Sequence, residues 1–139
     1  MVDRASKLTK LAKISGKTSE AVREAVVEKL EPIQDFVLTM TADNGKEFAC
    51  HQEVSHCLGT SFYFAKPYHS WERGLNEHTN GLIRQYLSKK QSFNDVTDKD
   101  IEKIEFLLNT RPRKVLNFWT PLEVFTQFSK KNTVVALQN

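Results

Sequence analysis

At 139 residues, 40% hydrophobic and 27% charged, the chain has the composition of one globular domain, which excludes a disordered or low-complexity protein. No apolar run approaches the roughly 20 residues that cross a bilayer, and Met1-Val2-Asp3-Arg4 lacks the plan of a signal peptide; a cytoplasmic protein without a membrane partner is expected. The balance of 20 Lys/Arg against 17 Asp/Glu says little about nucleic acid, but the distribution of charge says more.

Residues 8–14 alternate Leu and Lys around Thr and Ala, a pattern that predicts a half-buried strand, and "DRASK" before it reads as a turn. Residues 1–16 are thus expected to be the remnant of an N-terminal hairpin whose first strand is nearly all missing. Thr18 can cap a helix running to about Leu30, with Glu20 near its positive end and Ala21, Val22, Ala25, Val26 and Leu30 as an apolar stripe. Pro32 is expected to stop it.

Residues 36–41 form a short apolar run suited to a buried strand, which delivers Asp43 just past its end. In "TADNGKEF" the Asn44-Gly45 pair can be a tight hairpin turn, or a flexible turn beside a carboxylate that serves as a metal ligand. A short helix over 52–58 ends at Gly59, and "SFYFA" is strand-like up to Pro67. "CHQEVSHC" gathers Cys50, His51, His56 and Cys57. If helical, the two cysteines lie two turns apart, roughly 10 Å, too far for one tetrahedral zinc or a disulfide, so they read as ordinary helix residues.

A longer helix over 74–87 directs Leu75, Leu82, Ile83, Tyr86 and Leu87 towards a core and sets Glu77, Asn80 and Arg84 on a shared polar face. Over 66–90, basic Lys66, Arg73, Arg84, Lys89 and Lys90 are interleaved with Tyr68, Trp71, Tyr86 and two histidines, the composition of a phosphate-contacting surface. The acidic stretch 95–105 reads as a solvated helix face, with Thr97 capping a helix that ends near Asn109. Residues 110–139 are expected to be a basic loop, a short helix at "TPLEVF" opened by Pro121, and a tail. The sum is an α/β domain with helices packed on a small mixed sheet.

Asp43 and Glu77 lie 34 positions apart, so only the fold can bring them together. Converging carboxylates can hold paired Mg²⁺ ions for phosphodiester transfer, because hard oxygen ligands match Mg²⁺. Acids after strands and on helix faces are commonplace, and spacing alone favours the bland reading. The pieces "TADNGKEF", "FYFAKPYHSWERGLNEHTNGLIRQYL", "LNTRPRKVL" and "TPLEVF", in that order, change the balance. Together they resemble the catalytic domain of insertion-sequence transposases of the family numbered thirty, within the retroviral-integrase superfamily, over essentially the whole chain.

The resemblance implies a single integrase-type catalytic core over residues 1–139, with a ribonuclease H-like fold, a mixed sheet with helices on both faces, and the first strand missing. It also implies an Asp-Asp-Glu triad that binds two Mg²⁺ or Mn²⁺ ions and performs DNA strand cleavage and transfer. By position, Asp43 resembles the second acid and Glu77 the third. The family's first acid lies upstream of the segment matching "VDRAS", and Asp3 instead resembles an acid of the hairpin turn, where turn chemistry suffices. Activity of the 139-residue chain by itself is therefore expected to be impaired. "VLNFWTP" departs from the family in Asn117 and Phe118, where Gly and Tyr are usual, and "LSKKQ" in Ser88, where Pro is common.

Within this reading, Asn44 and Gly45 let the backbone approach a phosphate. His69, Trp71, Arg73, Asn80 and Arg84 are candidates for DNA contacts, and Arg111, Arg113 and Lys114 form a basic loop suited to phosphates. The implied partners are transposon-end and target DNA at the bacterial nucleoid, and a second copy or a full-length transposase in mixed assembly. The strand at 8–14 would lack neighbours, so self-association is expected. The rival reading is a non-catalytic DNA-binding or oligomerisation remnant that modulates a full-length transposase. A general ribonuclease H-like nuclease ranks last, because it leaves "ERGLNEHTNGLIRQ" unexplained.

Overall fold

The computed structural model describes residues 1–66, 74–87 and 95–137. In chain order the regular elements are α1 (Ser19–Leu30), β1 (Thr39–Ala42), α2 (His51–Leu58), β2 (Ser61–Phe64), α3 (Gly74–Tyr86), α4 (Asp98–Thr110) and α5 (Pro121–Leu137). Two compact units result, one of Ala12–Arg73 and one of Met1–Leu11 with Gly74–Asn139.

In the unit Ala12–Arg73, the Thr18 hydroxyl accepts the Ala21 N–H and starts α1 as the sequence predicts. Pro32 ends the α-helix without ending helical structure, because a proline in the first turn of a new helix loses no hydrogen bond. The chain tightens into a 3₁₀ segment, Glu31–Phe36, kinked at Ile33. β1 consequently begins at Thr39 rather than at residue 36.

β1 pairs with β2 in parallel, from Thr39 opposite Ser61 to Ala42 opposite Phe64. Parallel neighbours need a crossover of a dozen or more residues, and α2, capped by Gly59 at φ 61°, supplies it. Val26 and Leu30 of α1 meet Val54 and Leu58 of α2 in a core to which Met40 and Phe62 add from the strands. β1 is half-buried rather than buried, with Met40 and Ala42 turned inward and Thr39 and Thr41 exposed. An Arg23–Glu53 ion pair joins the two helices at the surface.

The second unit opens with a turn. Asp3 accepts the Ser6 N–H at 2.7 Å and the Ser6 hydroxyl at 2.6 Å, which is the turn chemistry expected of it. Lys7 closes the turn at φ 63° and Val2 bridges Thr9 antiparallel. Beyond that bridge the strand predicted over 8–14 does not form. Side chains of α4 take the place of a neighbouring strand. The Asn109 carboxamide accepts the Thr9 N–H and donates to the Thr9 carbonyl, both at 2.8 Å, while the Glu105 carboxylate accepts the Leu11 N–H at 2.7 Å and pairs with Lys10 at 3.1 Å. Leu8 and Thr9 are both buried, so the arm is covered on both sides and the alternation read from its sequence is not realised.

α4 starts in a capping box in which Thr97 and Asp100 exchange hydrogen bonds, and these hold the Asp100 carboxyl below the usual aspartate value. Ile101, Ile104 and Leu108 face its core. α5 is long, not the short helix expected. Thr120 and Glu123 form a second box of the same kind, and no Pro or Gly follows within the helix to end it. Before α5 the chain reverses at residues 116–119, where Trp119 N–H reaches the Leu116 carbonyl at 3.0 Å. Asn117 and Phe118 both have positive φ, 52° and 65°, as a type I′ turn requires.

Two substitutions test these features by urea unfolding. Asn109→Ala is expected to cost about 2–4 kcal/mol, since it strands a buried peptide N–H and carbonyl. Phe118→Gly is expected to add about 1 kcal/mol, because the left-handed conformation is costly for a side chain that here is 72% exposed and packs little.

Candidate metal and DNA site

Asp43 follows the last residue of β1 and is exposed. That is the carboxyl end of a parallel strand, the edge at which open α/β sheets present ligand-binding groups. Asn44 is exposed and Gly45 half-buried. Gly45 has φ −89° and ψ 148°, an extended conformation open to any residue, and a 3₁₀ turn, Lys46–Phe48, follows it. Asn44-Gly45 is therefore not a hairpin turn; it leads into the crossover. A side chain at Gly45 would first meet the Glu47 carboxylate, which lies within 2.8 Å of the place a Cβ would take.

Glu77 lies in the first turn of α3, where a carboxylate is favoured by the helix dipole. Glu77, Asn80 and Arg84 are all exposed, in keeping with the shared polar face predicted for them. Thr79 is the buried residue of this helix, and Tyr86, expected inward, is 37% exposed. Asp43 belongs to the unit Ala12–Arg73 and Glu77 to the other, and each is placed by its own element. Among the described residues there is no group of three or more His, Cys, Asp or Glu side chains able to hold a metal ion. His69, Trp71 and Arg73 lie outside the described residues, as does Ser88.

The basic loop after α4 is divided. Arg111 and Lys114 are exposed, whereas Arg113 is half-buried and one guanidinium nitrogen donates to the Leu108 carbonyl at 3.0 Å, capping the helix end. Burial, with Arg111 nearby, holds its pKa below the ordinary arginine value. The sequence reading grouped Arg113 with its neighbours; the missed signal is its place just beyond the end of α4, where a cation serves the open carbonyls. The Cys/His group is spread along α2: Cys50 precedes it, and the His51 ring packs edge-on against Phe64 at 4.9 Å and against Phe62 at 5.7 Å.

The chain matches the catalytic core domain of BIV integrase with a TM-score of 0.75, over 95% of this chain and 86% of that one, at 20% identity. The fold is thereby defined as that of such a core, ribonuclease H-like and mixed α/β. No family model matches the chain. By sequence, the chain is homologous to insertion-sequence transposases along most of its length. It is 51% identical over 132 residues, 95% of the chain, to the transposase of insertion sequence element IS4351 from Bacteroides fragilis. To the transposase InsI of IS30A from Escherichia coli K12 it is 39% identical over 125 residues, 89% of the chain. It spans 40% and 33% of the lengths of these two curated relatives.

Gly45→Ala separates the structural from the functional use of this turn. Its backbone angles admit alanine and the opposing carboxylate can swing away, so thermal unfolding is expected to change by less than about 1 kcal/mol. If the backbone must approach a phosphate at Gly45, DNA affinity in a gel-shift titration falls while stability holds.

Proposed function

We propose that the chain is the part of a DDE-type transposase catalytic core that carries the second and third acids, and that its chemistry is metal-dependent DNA strand cleavage and strand transfer. The supporting observation is the position of Asp43, exposed at the carboxyl end of a parallel strand inside "TADNGKEF", in a chain homologous to insertion-sequence transposases. Glu77, exposed in the first turn of α3, supplies the second carboxylate.

The donor set fits the metal this chemistry uses: two solvent-accessible carboxylates are hard oxygen ligands suited to Mg²⁺ or Mn²⁺. When bound, such ions activate the attacking hydroxyl or water and neutralise the charge that develops on the leaving oxygen. The residues of the chain bind and orient around that centre. Asn80 and Arg84 extend from Glu77 along the same face of α3 and offer an amide and a guanidinium to a phosphodiester backbone. Asn44, His69, Trp71, Arg73, Arg111 and Lys114 are assigned to the same DNA, which comprises transposon ends and target. Assembly with a second copy or with a full-length transposase, in the bacterial cytoplasm at the nucleoid, completes the reading.

On this reading Glu77→Ala is expected to abolish whatever metal-dependent strand cleavage the chain supports. A cleavage assay on transposon-end DNA with Mg²⁺ or Mn²⁺ tests this. Turnover unaltered by Glu77→Ala would overturn the assignment of Glu77. Independently, Asp43→Asn is expected to lower Mn²⁺ affinity more than about tenfold. Unchanged metal and DNA affinities in that variant would favour the non-catalytic reading, for which the exposed Arg84, Arg111 and Lys114 are sufficient.

A further inference from the structure

Within the unit formed by Met1–Leu11 and Gly74–Asn139 there is a cavity of about 240 Å³, lined by Lys7, Leu75, His78, Thr79, Arg113 and Val115. Three stretches far apart in sequence build it: the N-terminal turn, one side of α3, and the loop after α4. Its lining has a definite chemical character. Lys7 and Arg113 bring two cationic groups and His78 a third nitrogen donor, Thr79 a hydroxyl, and Leu75 and Val115 an apolar wall. Among the described residues no carboxylate lines it.

Arg113 carries the second observation. One of its terminal nitrogens is engaged by the Leu108 carbonyl, but its Nε is buried with no hydrogen-bond partner among the described residues. An arginine presents five donors in a fixed fork, and the Leu108 carbonyl takes one terminal nitrogen of it. A guanidinium fork fits two oxygens of one anion, and the Lys7 ammonium, which donates to the Arg4 carbonyl, adds a point charge to the same lining.

The cavity is separate from the carboxylate face. Leu75 and Thr79 lie roughly 200° around α3 from Glu77, so the ligand that Asp43 and Glu77 would hold is not the one that enters here. The volume is below the roughly 300–1,000 Å³ of pockets that take drug-sized molecules, which limits an occupant to a small head with a compact body.

We propose that this cavity is an oxyanion-binding site, in which Arg113 and Lys7 hold a phosphate group and Leu75 and Val115 receive the compact apolar body attached to it. The phosphate can belong to a DNA backbone or to a free phosphorylated small molecule. Only the first source rests on the proposed function, and binding of phosphate itself does not depend on it.

Amide and side-chain NMR shifts of the full 139-residue chain, followed during titration with inorganic phosphate, test the site. Saturable shifts are expected at Lys7, His78, Arg113 and Val115. Arg113→Gln is expected to weaken phosphate binding about tenfold or more, Lys7→Gln to weaken it several-fold, and Lys103→Gln on the exposed side of α4 to leave it as it was. Should Arg113→Gln fail to fold, Lys7→Gln and the wild-type shift map carry the test. Absence of saturable shifts at these residues, or binding unaltered by both cavity variants, overturns the proposal. A short DNA duplex then identifies the source: competition with phosphate at the same resonances assigns the cavity to a DNA phosphate, and undiminished phosphate binding to the DNA-saturated chain assigns it to a free phosphorylated ligand. Metal affinity unchanged in Asp43→Asn together with retained phosphate binding would count against the catalytic reading and leave this one standing.

Discussion

Parallel pairing of β1 with β2 is the constraint on which the Ala12–Arg73 unit depends. Two strands running the same way cannot be joined by a tight turn, and the chain must return along the sheet before pairing again. α2 is that return. Its Val54 and Leu58 face, covered by Val26 and Leu30 of α1, seals the sheet that it connects. The same constraint places Asp43, exposed, just past the carboxyl end of β1.

Local chemistry made much of this readable in advance. The caps at Thr18 and Thr97 and the glycine stop at Gly59 stand where side-chain oxygens and a left-handed residue are needed, and those needs are set within one turn of helix. Left-handed turns were less legible. The Asn-Gly pair with the stronger signal, at 44–45, adopts no positive φ at all, whereas Asn117-Phe118, with a bulky aromatic in the second position, adopts it twice. Pairing direction, which is a property of the whole sheet, overrode the preference of the first dipeptide. At the second, hydrogen bonds from Phe118 N–H to the Arg113 carbonyl and from Arg113 N–H to the Trp119 carbonyl hold the loop in a conformation that its own residues resist.

The candidate site divides in the same way. Periodicity was enough to put Glu77, Asn80 and Arg84 on one exposed face, because helix geometry alone decides it. It could not separate Arg113 from Arg111 and Lys114, since turning one guanidinium back to a helix end depends on how the loop leaves α4. Nor could composition raise Asp43 above the many acids that follow strands. Only the resemblance carried by long motifs in a fixed order singles it out.

The N-terminal arm shows how a side chain can stand in for a strand. The Asn109 carboxamide takes the N–H and the C=O of one residue of the arm, Thr9, and so reads two adjacent peptide units at a single position. A true neighbouring strand would repeat its bonds every second residue and tolerate slippage by two. Here a shift of one residue would carry Lys10 to the carboxamide and turn the buried Leu8 and Thr9 out of place. The arm is thus held at an indexed position by two side chains of α4, Asn109 at Thr9 and Glu105 at Lys10 and Leu11, in place of the many bonds of a ladder.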